Sequence, residues 1–476
     1  MWTSFFLLLN LILALVVVIR VLMRPRMEPS VRLAWIMVVE AVPFLGILAY
    51  LMFGEVRIAQ AERQRAVDIR ARLSGMWVPS PSAVDETPEW MEGLTATAQS
   101  VGGMVPVLGN RITMTPEGDD AFDDMLRDIA AAKDHVHILF YIWLDDRMGR
   151  RLASAVAEAA QRGVDCRVVV DAVGSRQFVH SDAWTEMGHA GAHLVQAMPT
   201  GFPLWGALFR RLDLRNHRKI VLIDNHIGYT GSRNAADQAF AVKPRFAPWV
   251  DVWFAIEGPV VRQMQGVFLA DWMSYTGDDL GEAMLNTVPA AEDPGCIAQV
   301  IATGPDRRAG SISDCISALL ASARDKVVIT TPYYVPSNAL DAAIQACARR
   351  GVEVTLILPE RNDSLFVAAT SEGFYQGLLR AGVRLMLFRD GLLHAKLASV
   401  DGRVAMLGSG NLDRRSFELN YEMNLIVAGT HVTDQIDRRQ DSYIARAREV
   451  TLEEVESWPR WRRVRNNLLA LATPLL

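Results

Sequence analysis

The stretch Asn216 to Asn234, NHRKIVLIDNHIGYTGSRN, is written a second time as LHAKLASVDGRVAMLGSGN at Leu393 to Asn411. Each copy carries His-x-Lys-x4-Asp: His217, Lys219 and Asp224 in the first, His394, Lys396 and Asp401 in the second. Each then closes on Gly-Ser-x-Asn, giving Ser232 and Asn234 in one copy and Ser409 and Asn411 in the other. A single His-x-Lys-x4-Asp arises by chance in roughly a few per cent of chains this long. Two in one register with the same tail are an internal repeat, and any fold must give both copies equivalent surroundings.

The repeat extends beyond the motifs. AAKDHVHILFYIW (Ala131 to Trp143) and SARDKVVITTPYY (Ser322 to Tyr334) both read as a helix end running into a strand. Helices near 153–161 and 340–349 follow, ended by Gly163 and Gly351, and then the strands CRVVVDA and VEVTLILP. Apolar runs alternating with helices predict an α/β protein with a mostly parallel sheet in each half. The motifs fall on the strands KIVLID and KLASV, followed by turns at Asp-Asn and Asp-Gly. His and Lys are two residues apart and so leave a strand from the same face. Two halves about a pseudo-twofold would bring both His-Lys pairs to one site.

This paired motif resembles the phospholipase D superfamily from about Gly109 to the C-terminus, and within it the bacterial cardiolipin synthases with two transmembrane segments. The resemblance implies two phospholipase D-like domains of mixed sheets flanked by helices, at 107–285 and 286–476. Before them come a hairpin at 1–56 and a linker with a helical segment at 57–106. It also implies phosphatidyl transfer through a phosphohistidine. Phosphatidylglycerol is then the substrate and cardiolipin the product. His217 is the nucleophile by resemblance and His394 the general acid, then base; the near-symmetric motifs themselves do not decide between them.

The residue types suit that chemistry. Lys219 and Lys396 supply fixed positive charge, and Ser232, Asn234, Ser409 and Asn411 supply donors for the non-bridging oxygens of a phosphodiester. Histidine is the side chain that can start either neutral, to attack, or protonated, to release an alkoxide. Downstream of each motif stands a carboxylate in a strand-like context, Asp251 in WVDVWFAIEG and Glu422 in LNYEMNLIV. Each is read as fixing the idle nitrogen of the histidine in its own half. Asp224 and Asp401 belong to the catalytic motif but are read as bracing the fold or the lysines. Tyr333, Tyr334 and Pro336 sit where substrate loops would begin, and Arg414 or Arg415 in LDRRSFELN could meet a second phosphate. No clustered carboxylates suggest a metal, and no cofactor is expected.

The N-terminus points to a membrane. Phe5 to Ile19 is apolar apart from Asn10, and its arginines (Arg20, Arg24, Arg26) follow it, against the order in a signal peptide. Leu33 to Phe53 is a second run of spanning length, interrupted by Glu40. The reading is a hairpin of helices at about 4–23 and 33–53, with Glu40 in a polar contact between them and both chain ends on one side. Arginines flank both sides of the second helix, so the positive-inside count is nearly tied; the catalytic part is placed in the cytoplasm of a bacterial cell with an inner membrane. The aromatic and basic stretch Gly201 to Leu214 reads as a lipid-guiding segment or a core helix. The tail with Trp458, Trp461, Arg460, Arg462, Arg463 and Arg465 reads as interfacial.

A net charge of −5 argues against a dedicated nucleic-acid binder. The four scattered cysteines, Cys166, Cys296, Cys315 and Cys347, suggest buried thiols. Rival readings are a phospholipase D-type hydrolase or another phosphatidyltransferase, a membrane-tethered nuclease, and a scaffold with degenerate motifs. All four His and Lys positions are present, which weighs against the last. Whether two chains pair as a homodimer is left open.

Overall fold

A computed structural model of the chain describes residues 2–25, 27–58, 60–74, 87–199, 211, 213–240, 242–280, 290–291 and 295–470. The repeat becomes one continuous sheet. From the centre outward the first half runs Val107–Met114, Trp253–Glu257, Ile227–Gly231, Lys219–Ile223, His135–Phe140, Asp165–Asp171 and His193–Ala197. The second half follows the same order with Cys296–Thr303, Asn420–Ala428, Val404–Gly408, Leu397–Val400, Lys326–Thr330, Glu353–Pro359 and Arg384–Phe388. The two innermost strands are repeat equivalents and pair antiparallel, Val107 opposite Ala298, as a twofold between the halves requires.

The expected parallel sheet is found only among three outer strands of each half, and in the second half an antiparallel strand, Ala447–Val450, lies outside them at the edge. The strands that carry the motifs run antiparallel to their neighbours. The reason is local: Asp224 and Asp401 sit in tight turns with positive φ (53° and 54°) that reverse the chain at once, whereas the outer strands are joined by helices. One such helix, Arg147–Gln161, buries Met148, Leu152, Val156 and Ala159 on one stripe, with Asp146 capping Gly149 N. Gly163, at φ 90°, ends the run as the sequence suggests. All four cysteines are free thiols.

The N-terminus departs from the expected pair of full-length helices. Helix α1 is Trp2–Met23, but the second apolar run is split into α2 (Pro29–Ala41) and α3 (Leu45–Phe53). Pro43 falls in the middle of that run, where its ring and missing N–H cannot continue a helix. Among the described residues only α1 is long and apolar enough to cross a membrane. Glu40 is exposed rather than held between helices. The buried acid is Glu55, which takes Arg20 at 2.7 Å, Arg24 at 2.5 Å, Arg57 at 3.2 Å and Tyr50 at 2.6 Å.

The segment read as a linker docks on the body. Helix α4 (Gln60–Ser74) buries Ile69 and Leu73 in the core beside Trp272 and Met273, and Glu89–Gly102 buries Met91, Leu94 and Ala98 against Ile301 and Ile316. In the basic tail, Arg462 and Arg465 both pair with Glu372, and Trp461, Val464 and Leu468 stay exposed. Of the Gly201 to Leu214 segment, residues 201–210 and 212 lie outside the described residues.

Candidate active site

Two short parallel pairings tie the halves together at the motifs. Arg215–Asn216, leading into His217, pairs with Asn420–Tyr421, leading into Glu422. Leu392–Leu393, leading into His394, pairs with Trp249–Val250, leading into Asp251. The ladders continue to the histidines: His217 N donates to Tyr421 O at 2.9 Å and His394 N to Val250 O at 2.7 Å.

This strapping corrects the carboxylate assignment. His217 Nδ1 lies 2.9 Å from Glu422 Oε2, and His394 Nδ1 lies 2.7 Å from Asp251 Oδ1. Each histidine is fixed by the acid of the other half, because the strand entering each histidine pairs with the strand entering the opposite acid. Facing a carboxylate, Nδ1 carries the proton and Nε2 is the free nitrogen.

Ser232 and Ser409 have a different role from the one expected. Ser232 Oγ donates to Asp251 Oδ1 at 2.6 Å and Ser409 Oγ to Glu422 Oε2 at 2.5 Å. Both serines are fully buried and their protons are committed to the carboxylates, so they hold the acids instead of a ligand. Ser416 and Asn420 add bonds to Glu422 Oε1 at 2.9 and 3.2 Å. Asn234 and Asn411 remain candidates for ligand contact. Asn234 Oδ1 accepts from Ile142 N at 3.3 Å, which leaves its amide nitrogen as the donor, and Asn411 Oδ1 is buried without a partner among the described residues.

The glycines before these serines are required by space. A Cβ on Gly231 would stand 2.3 Å from Val252 O, and one on Gly408 2.4 Å from Met423 O. Gly231→Ala should therefore push the serine loop off its acid strand, costing about 1–3 kcal/mol of stability. Thermal unfolding beside Gly191→Ala, which meets nothing within 4 Å but has φ 103°, separates the clash from backbone strain.

Lys219 and Lys396 are buried and each donates to the carbonyl of its own histidine at 2.7 Å. Lys396 Nζ also lies 3.2 Å from His394 Nε2. Burial brings the Lys219 ammonium down to about 7 and Lys396 to about 8, against the pull of Glu422 and Asp251. Burial likewise drives His217 to about 4 despite Glu422, with Lys219 and Lys396 adding to the fall, and lowers His394 too. Burial opposes the Asp251 carboxylate, yet His394, Lys396 and Ser232 outweigh it and hold it at about 2. Each histidine feels the lysine of the opposite half, so the two histidines and two lysines form one site.

Asp224 and Asp401 stand apart from it. Asp224 accepts from the backbone N–H groups of Lys133, Asp134 and His135 at 2.8–2.9 Å, and Asp401 from Arg324, Asp325 and Lys326 at the same lengths. They clamp the helix-to-strand turn that the repeat writes as AAKDH and SARDK; they do not reach the lysines. Tyr333 packs edge-on to His394 at 6.5 Å and bonds Asp363, while Tyr334 is turned into the core. Arg414 pairs with Glu418 and Arg415 with Asp213.

Three contacts escape the sequence reading. Tyr141 packs edge-on against His217 with ring centroids 4.8 Å apart, and Trp249 lies against His394 at 4.7 Å. Arg218, between His217 and Lys219, is buried on Asp271 and donates to Glu422 O at 3.2 Å. Tyr141 and Trp249 follow strand patterns that read as core, and Asp271 sits inside a buried helix with no motif around it.

Fold and site together define an enzyme of phosphodiester transfer built from two halves around a pair of histidines. Comparison with known proteins agrees. The family described as "Cardiolipin synthase, PLD-like domain" matches residues 125–272 and 316–444, and the "Phospholipase_D-nuclease N-terminal" family matches residues 11–55. Cardiolipin synthase A of Pectobacterium carotovorum is 36% identical over 97% of this chain and 96% of its own length. That of Yersinia pestis is 35% identical over the same shares. Among solved structures, phosphatidylserine synthase of Haemophilus influenzae has the same fold, with a TM-score of 0.59 at 14% identity over 81% of this chain and all of that one. The chain belongs to the cardiolipin synthase family of the phospholipase D superfamily.

Proposed function

We propose that the chain transfers a phosphatidyl group from one phosphatidylglycerol to another, at the cytoplasmic face of a bacterial inner membrane to which its N-terminal helices anchor it. The observation that carries this reading is the crossed pair of imidazoles, each with Nδ1 on the carboxylate of the other half and a buried lysine on its own carbonyl. His217 Nε2 attacks the phosphorus of the first lipid, and the bond from phosphorus to the glycerol headgroup breaks. His394 passes its proton to the departing oxygen, releasing glycerol and leaving a phosphatidyl group on His217. His394 then takes the proton of a hydroxyl on the second phosphatidylglycerol, whose oxygen attacks the phosphohistidine; cardiolipin leaves and both histidines are restored. Lys219, Lys396, Asn234 and Asn411 meet the non-bridging oxygens, where charge grows in the transition state.

In the free site His394 is held toward its neutral form by burial and by Lys396. An anionic phosphate between the two lysines reverses that balance, and the proton needed by the leaving group arrives with the substrate. The same logic applies to the lysines. At pH 8 binding a short-chain phosphonate analogue of phosphatidylglycerol should take up protons, because Lys219 (about 7) and Lys396 (about 8) recharge against it. At pH 6 both are charged beforehand and their part of the uptake vanishes. Calorimetry in two buffers of different ionisation enthalpy reads the uptake, and Lys219→Met should diminish it.

The decisive experiment incubates detergent-solubilised protein with headgroup-labelled phosphatidylglycerol and separates cardiolipin, phosphatidic acid and glycerol. Cardiolipin with matching glycerol is the expected result. Phosphatidic acid alone would make water the acceptor and the protein a hydrolase.

A further inference from the structure

The three N-terminal helices pack in a register that fixes their depths relative to one another. At one end, Arg32 donates to Arg24 O at 2.9 Å, and Arg20 and Arg24 converge on Glu55 just past α3. At the other end, Phe44 N, in the break between α2 and α3, donates to Asn10 Oδ1 at 2.9 Å. Between these points α2 and α3 run side by side, with Trp35 against Tyr50 (5.4 Å) and Gly46 so close to Val38 that a Cβ would stand 2.2 Å from its carbonyl oxygen. The second apolar run is therefore a hairpin that climbs along α1 to Asn10 and returns to where it started.

At 1.5 Å per residue, Arg24 to Asn10 is about 21 Å and Trp2 to Asn10 about 12 Å more. A hydrocarbon core is about 30 Å thick, so α1 crosses it while the hairpin stops about two-thirds of the way. Burial follows the same division. Ala14, Val17 and Val21 form the buried stripe of α1, and every residue from Trp2 to Leu8, above the tip, is exposed.

The break is also built for a medium without water. Non-helical backbone at membrane depth needs its polar groups satisfied internally. Val42 N bonds Val38 O, Pro43 has no N–H, Phe44 N bonds Asn10, Leu45 N bonds Pro43 O and Gly46 N bonds Val42 O. Asn10, the one polar side chain in the apolar part of α1, is there to cap the break. Glu40, exposed near the tip, marks where water or a polar partner must reach the hairpin.

We propose that the N-terminal region crosses the bilayer once, with α2 and α3 as a re-entrant hairpin entering from the catalytic side, so that the N-terminus and the catalytic body lie on opposite faces. This rests on the membrane reading above. It resolves the tied charge count, because the arginines on either side of the second apolar run now share one face. Arg20, Arg24, Arg32 and Arg57 lie at the catalytic end, and Arg65 and Arg70 of α4 hold the body there through Met273 O and Asp306. The first ten residues carry no Lys or Arg. The positive-inside rule then places the body in the cytoplasm and the N-terminus outside.

Single cysteines at exposed positions test the arrangement: Thr3→Cys above the tip, Glu28→Cys between α1 and α2, and Arg127→Cys on the body. Each full-length variant is treated with a membrane-impermeant maleimide in spheroplasts and in inverted vesicles, with the parent chain as blank. Glu28→Cys and Arg127→Cys should label together in inverted vesicles, and Thr3→Cys only in spheroplasts. Glu28→Cys and Arg127→Cys labelling from opposite faces would overturn the proposal in favour of two complete spans. Labelling of all three from one face would overturn it in favour of a helix that does not cross. Release of the protein from vesicles by alkaline carbonate would instead overturn the membrane reading itself.

Discussion

Replacing His217 with alanine should abolish phosphatidyl transfer, by about 10⁵-fold or more in kcat, because it removes the group proposed to form the covalent intermediate and leaves His394 in its acid–base place. His394→Ala should cost about 10²–10⁴-fold, the usual range for a lost general acid. The two losses differ in kind. Without His394 the chemistry still has a nucleophile, and what fails is protonation of the departing glycerol oxygen. A phosphatidyl ester of p-nitrophenol, whose leaving group needs no proton, should therefore restore the first half-reaction to His394→Ala and leave His217→Ala inert. Rapid quench with acyl-labelled lipid would show the phosphatidyl group on the His394→Ala protein, held there because the second step still lacks its base. Rescue of His217→Ala instead would exchange the two roles. Unfolding curves on both variants exclude a trivial loss of fold.

The sequence shows the repeat, the twofold and the His and Lys residues that the fold brings together, because short-range rules govern all three. His-x-Lys places two side chains on one face, and Gly-Ser-x-Asn marks a loop that only glycine can enter. The partners across the twofold were not legible. Asp251 lies nearer to His217 in sequence than to His394, and chain proximity suggests that pairing. The two-residue pairings Arg215–Asn216 with Asn420–Tyr421 and Leu392–Leu393 with Trp249–Val250 decide otherwise, and they are too short to leave a periodicity. For the same reason Ser232 and Ser409 pass as ligand donors until their acids are seen beside them. At the N-terminus hydropathy reports the length of an apolar run but not a turn inside it. Pro43 was visible, yet a proline in a membrane helix is compatible with a kink, and only the bond from Phe44 to Asn10 shows that the chain reverses.

The crossing makes a second strong prediction. Glu422→Gln should damage the nucleophile and Asp251→Asn the acid, each on the half opposite to the substitution. An amide at either position can offer an N–H to Nδ1 and so favour the wrong tautomer, with the proton on Nε2. For Glu422→Gln this removes the lone pair that attacks phosphorus, and kcat should fall about 10³–10⁴-fold even with the p-nitrophenyl ester. For Asp251→Asn the damage falls on proton transfer, and the ester should recover most of the first step. Nitrogen NMR of histidine-labelled protein gives a readout free of turnover. Glu422→Gln should move the His217 ring signals and spare those of His394, and Asp251→Asn the reverse. Ser409→Ala and Ser232→Ala, which loosen the same carboxylates without changing their charge, should reproduce each pattern more weakly. If Asp251→Asn moved His217 instead, each half would be completing its own histidine. The halves would then be two separate sites, and neither carboxylate would explain why one chain carries both copies of the motif.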